Sequence, residues 1–147
     1  TVEELEHSDR AIRLGIGNKI PPELMANAGI LCAFLEKVRT LLGNFPLILN
    51  SGYRCPALNA DTPGSSDTSA HTWCLAADFI LPSSGAPYEI ACAIRDSGIP
   101  FDQVIHEGTW VHASPISQQG QVRQQTLTAR FLRGAGHPEY SLGLTNY

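Results

Sequence analysis

Charge is scarce in this chain: only 16% of its 147 residues are Asp, Glu, Lys or Arg, against about 25% in an ordinary soluble domain. A disordered acidic or basic tail is therefore excluded, because such segments join high charge to low hydrophobicity, whereas 43% of residues here are apolar. Ten Lys and Arg against fourteen Asp and Glu leave a net charge of -4. With no dense basic tract, electrostatic binding to nucleic acid or anionic lipid is not expected. No stretch reaches the roughly 18 nearly uninterrupted apolar residues of a transmembrane helix, so no membrane insertion is expected either. The opening Val2–Glu6 is acidic, unlike the basic-then-apolar layout of a secretory signal. Cysteine is sparse as well. Cys32, Cys55, Cys74 and Cys92 are too few and too scattered for a disulfide scaffold, and none is spaced C-x-x-C. Buried, reduced thiols are the expectation, with one or two disulfides as the open alternative. What remains is a single domain over residues 1–147, expected to be monomeric and long enough to bury roughly 68–70% of its unfolded surface.

Thr1-x-x-Glu4 is a capping-box pattern that opens a short helix, and Ser8 caps a second one through Ile12 and Leu14. Pro21 and Pro22 open a longer helix, in which Leu24, Ala28, Leu31, Leu35, Val38 and Leu42 form one apolar stripe before Gly43 stops it. Leu47–Leu49 reads as a strand running into the turn residues Asn50, Ser51 and Gly52. Residues 55–70 are rich in Pro, Asn, Asp, Gly, Ser and Thr, the composition of a loop, and loops this long are often functional. Leu75–Leu81 is the next strand and Ala86–Ser97 the next helix. Gln103–His106 and Trp110–Ser114 form a hairpin around Glu107-Gly108-Thr109, and Thr126–Phe131 adds a strand. The tail from Gly134 reads as irregular. The fold class expected is α+β, with helices packed on a small, mainly antiparallel sheet.

Among His7, His71, His106, His112 and His137, context singles out two. His71 ends the small-polar loop seven residues before Asp78, which lies inside the apolar run Leu75-Ala76-Ala77-Asp78-Phe79-Ile80. A carboxylate there must be paired, hydrogen-bonded or metal-bound, because desolvating it alone is very costly. His112 has a similar setting in Trp110-Val111-His112-Ala113-Ser114. Two imidazoles and a carboxylate on neighbouring strands suit Zn2+, and a fourth position left to water would make the site catalytic. Two other readings stay open: a closed structural zinc site with Cys74 as fourth ligand, through the zinc-like spacing His71-x-x-Cys74, and a metal-free hydrogen-bonded cluster.

Ser51-Gly52-Tyr53-Arg54 followed by Asn59, Ser69-x-His71-x-x-x-x-Ala76-x-Asp78, Phe101-Asp102-Gln103-Val104-Ile105 and Trp110-Val111-His112 occur in this order. Together they resemble the zinc peptidases of the M15 type, the D-Ala-D-Ala carboxypeptidase-like enzymes that cut peptidoglycan stem peptides, and above all the small versions of bacteriophages and prophages. The likeness covers roughly residues 1–115, with 116–147 a C-terminal extension. It implies a D-Ala-D-Ala carboxypeptidase/Hedgehog-like fold and one zinc ion on His71, Asp78 and His112. It further implies a catalytic Arg54 facing the substrate carbonyl or carboxylate, Glu107 as general base, and Ser69 as a substrate-contacting group. Tyr53, Trp73 and Trp110 are candidate cleft-lining aromatics, and Asp102-Gln103 is read as architectural. His106 competes with Glu107 for the acid/base role, but neighbours on an extended chain point to opposite faces, so only one of them should face the metal. Cys74 stands where the family usually has glycine, and Pro63-Gly64-Ser65-Ser66 replaces its usual double glycine. The implied activity is zinc-dependent hydrolysis of peptidoglycan stem peptides or cross-links, as a carboxypeptidase or an endopeptidase, for example an endolysin. It would act on the cell wall after release from the cytoplasm or delivery in a phage particle.

Overall fold

A computed structural model describes residues 1–147. In chain order the elements are α1 (Val2–Glu6), α2 (Asp9–Leu14), a 3-10 turn (Pro22–Leu24), α3 (Met25–Leu41), β1 (Ile48–Ser51), α4 (Pro56–Asp61), a second 3-10 turn (Ala70–Trp73), β2 (Ala77–Ile80), α5 (Pro87–Asp96), β3 (Gln103–His106), β4 (Val111–Ser114), β5 (Gln125–Arg130) and β6 (Glu139–Leu142). The capping box forms as its pattern requires: the Glu4 N–H donates to the Thr1 hydroxyl, and the Glu4 carboxylate accepts from the Thr1 amine. In α3 the stripe Ala28, Leu31, Leu35 and Val38 is buried together with Phe34. Gly43, at φ +92°, lets the chain leave the helix, with Gly43 N–H donating to the Thr40 carbonyl and Asn44 N–H to that of Arg39. Those paired bonds are the signature of a Schellman stop.

The six strands form one sheet in the order β1-β2-β4-β3-β5-β6. Four pairings are antiparallel, but β3 and β5 run parallel. The sheet is thus mainly antiparallel, as expected, but mixed, because one of its five pairings is parallel. The reason lies in the crossover after β4. Asp102, at the entrance to β3, is buried, and its two carboxylate oxygens accept from Arg123 Nε and Nη2 at 2.7 Å each. Gln124 and Gln125 then donate their backbone N–H groups to the Phe101 and Asp102 carbonyls, so β5 starts beside the start of β3 and follows its direction. Two further elements depart from expectation. α4 lies inside the stretch read as loop, and β6 inside the tail read as irregular.

Pleat alternation divides the sheet between core and function. Ala77, Phe79, Val104, Val111 and Ala113 join Leu31, Phe34 and Val38 of α3 and Ile90, Ala91 and Ile94 of α5 in one hydrophobic core. Fully burying a side chain such as Phe79 is worth about 1.5–3 kcal/mol. The intervening residues face the other way, and the register sets Ser51, Asp78, His112, Ile105 and Leu127 in one row across five strands. All four cysteines are free. No helix is long and apolar enough to cross a membrane.

Candidate metal centre

Strand pairing alone sets Asp78 of β2 against His112 of β4 as direct cross-strand partners. His71 arrives from the 3-10 turn just before β2, capped by the Ser69 hydroxyl, which accepts from the His71 N–H at 3.4 Å. That turn ends at Cys74 in the left-handed region, φ +55°, a conformation glycine adopts freely and which accounts for the glycine expected at this position. His71 Nε2, His112 Nδ1 and Asp78 Oδ1 face one another: His71–His112 is 3.2 Å, His71–Asp78 3.3 Å and His112–Asp78 2.9 Å. Zinc–ligand bonds of about 2.0–2.1 Å imply tetrahedron edges of about 3.3 Å, so this triangle fits one face of such a tetrahedron to within a few tenths of an ångström. His71 Nδ1 lies 2.6 Å from the Gly52 carbonyl oxygen. A carbonyl only accepts, so Nδ1 carries the proton and Nε2 turns a lone pair toward its neighbours, the tautomer a metal requires.

Burial pushes the His71 imidazolium down, with Asp78 opposing it. For His112 burial acts the same way, but the hydrogen bond and charge of Asp78 outweigh it and raise the ring. Burial would raise the Asp78 carboxyl, yet the two imidazoles win and hold it well below the usual range. Cys74 is not among the side chains whose ligand atoms gather within 4.8 Å. It packs in the core, where burial lifts its thiol to about 11. The chain thus offers two nitrogens and one oxygen to a cation, and the closed site with Cys74 as fourth ligand is corrected by this placement.

The triangle opens into a cleft of about 840 Å³ lined by Arg54, Ser69, Glu107, Trp110 and Tyr140 among others. Arg54 is nearly buried and lies 4.0 Å from Asp78, while its Nε has no hydrogen-bond partner. Burial lowers this guanidinium, and the Asp78 and Glu107 charges oppose that. It is a forked cation held ready for an anionic or carbonyl oxygen. Burial, and then the Asp78 charge, push the Glu107 carboxyl up to about 7. The Trp110 indole N–H near it acts in the opposite direction but stands outside hydrogen-bonding geometry, leaving Nε1 buried and unpartnered.

The remaining expected residues lie elsewhere. His106 points to the opposite face from Ile105 and Glu107, stacked between Tyr88 and Tyr147, with Nδ1 donating to the Thr145 carbonyl at 2.9 Å. It does not line the cleft, which corrects its candidacy as acid/base. Tyr53 is likewise corrected: it belongs to the core, facing away from its neighbour Arg54. Trp73 is half exposed, outside the cleft. Sequence reasoning missed Arg123, Phe131 and Tyr140, all of which line it. They lie beyond the motifs, and only the orphan carboxylate of Asp102 hinted at a basic partner.

Comparison with known proteins supplies the family. No curated protein and no solved structure matches the chain. Residues 1–114 match Peptidase M15, a segment that contains the His71–Asp78–His112 triangle together with Arg54 and Glu107, and the chain belongs to that peptidase family.

Proposed function

We propose that this protein is a zinc-dependent metallopeptidase that hydrolyses an amide bond in a peptidoglycan stem peptide or cross-link, as a phage-type endolysin or cell-wall peptidase built on a D-Ala-D-Ala carboxypeptidase/Hedgehog-like fold. The observation that carries this reading is the triangle of His71 Nε2, Asp78 Oδ1 and His112 Nδ1 at the floor of an open cleft, in a chain of the M15 peptidase family. Bound zinc supplies a Lewis acid that polarises the scissile carbonyl and makes water a nucleophile near neutral pH. Glu107 takes the proton of the attacking water, and its carboxyl, raised to about 7, suits that exchange at neutral pH. Water adds to the carbonyl carbon, the C–N bond breaks, and the proton held by Glu107 passes to the leaving amine. Arg54 directs its unpaired donors at the oxygen on which negative charge gathers, or at a substrate carboxylate beside it. Ser69 and Trp110 line the same cleft and contact the peptide.

The experiment is digestion of purified sacculi by the wild type and by His71→Ala and His112→Ala, with the zinc content of each measured. Both variants are expected to lose the metal and the release of peptides. Undiminished zinc and undiminished digestion in both would overturn the assignment. Mass spectrometry of the released fragments identifies the bond cut.

A further inference from the structure

The segment Pro115–Tyr147 lies outside the family match yet builds one wall of the cleft. Its β5 runs parallel to β3, and their last paired residues, His106 and Thr128, immediately precede Glu107 and Ala129. Ala129 in turn pairs with Tyr140 of β6. Ala129 thus lies between Glu107, just beyond the end of β3, and Tyr140 on β6. Tyr140 lines the cleft with Arg54, Glu107 and His112. Tyr140 is 54% exposed, yet its partial burial and then the Glu107 and Asp78 charges raise its hydroxyl, with Arg54 opposing them, so the phenol keeps its proton at neutral pH. The hydroxyl makes no hydrogen bond within the protein.

This wall is fixed in place. The Thr128 hydroxyl donates to the Gly143 carbonyl at 2.9 Å and accepts from the Thr145 N–H at 2.8 Å. His106 holds the Thr145 carbonyl, and the Tyr147 hydroxyl donates to the Ala129 carbonyl. At the rim, a methyl group added to Gly64 would lie 3.3 Å from Pro138 Cδ, so the 62–66 loop and the approach to β6 meet there.

We propose that Tyr140 is a substrate-binding residue, its phenolic O–H donating to a carbonyl or carboxylate oxygen of the bound peptide from the β6 side of the cleft, while Arg54 reaches that peptide from the β1 side. The proposal rests on the peptidase reading above. It adds a donor from outside the family-matched segment, and so a determinant of which peptide this chain accepts.

The test compares steady-state hydrolysis of soluble stem peptides by the wild type, Tyr140→Phe, His71→Ala and a control on the same strand, Leu142→Ala. Leu142 is 82% exposed and does not line the cleft. Circular dichroism verifies that each protein is folded, and zinc content that the wild type, Tyr140→Phe and Leu142→Ala are loaded. Tyr140→Phe keeps the ring and removes only the hydroxyl. Its kcat/KM should fall about tenfold, the worth of one hydrogen bond to the substrate, with zinc content unchanged and Leu142→Ala at wild-type level. Wild-type kcat and KM in Tyr140→Phe, with His71→Ala inactive, would overturn the assignment of Tyr140 alone. An active His71→Ala would instead overturn the zinc-dependent reading beneath it, as would the absence of hydrolysis by the wild type.

Discussion

Gly52→Ala should damage the metal centre without touching a ligand. A Cβ at this position would lie 2.6 Å from the Leu5 carbonyl oxygen and 2.8 Å from Leu5 Cα, backbone atoms that no rotamer change can move. Leu5 is fully buried, and its carbonyl accepts from the Tyr53 N–H at 2.8 Å, so α1 and the segment after β1 would have to part. Overpacking of this kind costs about 1–3 kcal/mol, and losing the Tyr53–Leu5 bond adds about 1 kcal/mol. At roughly 2–4 °C per kcal/mol for a chain of this size, Tm should fall by about 10 °C. The same displacement moves the Gly52 carbonyl that holds His71 Nδ1 at 2.6 Å. Losing the outer partner of a ligating histidine weakens metal affinity by about 10- to 100-fold. Calorimetry of the metal-free protein measures the first effect, and zinc titration against a chromophoric chelator the second. A variant that melts and binds zinc like the wild type would refute the reasoning from contacts. One that loses stability but not affinity would refute the orienting role given to the Gly52 carbonyl.

Glu107→Gln should retain zinc yet lose about 10²–10⁴-fold in kcat, the usual worth of a positioned acid/base; unchanged turnover would remove Glu107 from the mechanism. Zinc affinity should fall with acidification, because the metal needs neutral His112 and this ring is raised above its ordinary value by Asp78. Below that raised pKa each pH unit costs about tenfold through His112 alone, and a flat chelator titration would contradict it. Arg123→Ala should destabilise by about 3 kcal/mol, since it strands the buried Asp102 carboxylate. Asp102→Asn should cost less, because Arg123 is half exposed and can be solvated; denaturant melts that reverse this order would refute the role of the pair.

What the sequence made legible was the part written in short, ordered motifs. Asp78 in an apolar run demanded a partner, and the structure sets His112 directly opposite it with His71 beside both. Alternation along β3 required that Glu107 and His106 part company, and they face opposite sides of the sheet. The same rule applied to Tyr53 and Arg54 would have assigned the tyrosine to the core. α4 was hidden by its loop-like composition, although Pro56 at its first turn is a helix-opening signal. β6 was illegible because Glu139-Tyr140-Ser141-Leu142, although it alternates polar and apolar, is only four residues long and set among Gly134, Gly136, Pro138 and Gly143, the composition of an irregular tail. The parallel pairing of β3 with β5 depends on the non-local Asp102–Arg123 clamp, which no local pattern encodes.

X-ray absorption at the zinc edge of the metal-loaded protein addresses the central assignment most directly. One zinc per chain with two imidazole nitrogens and a carboxylate oxygen at about 2.0–2.1 Å, and no sulfur, is the expected result. A sulfur scatterer at about 2.3 Å, or unaltered zinc ligation after His71→Ala and His112→Ala, would contradict it.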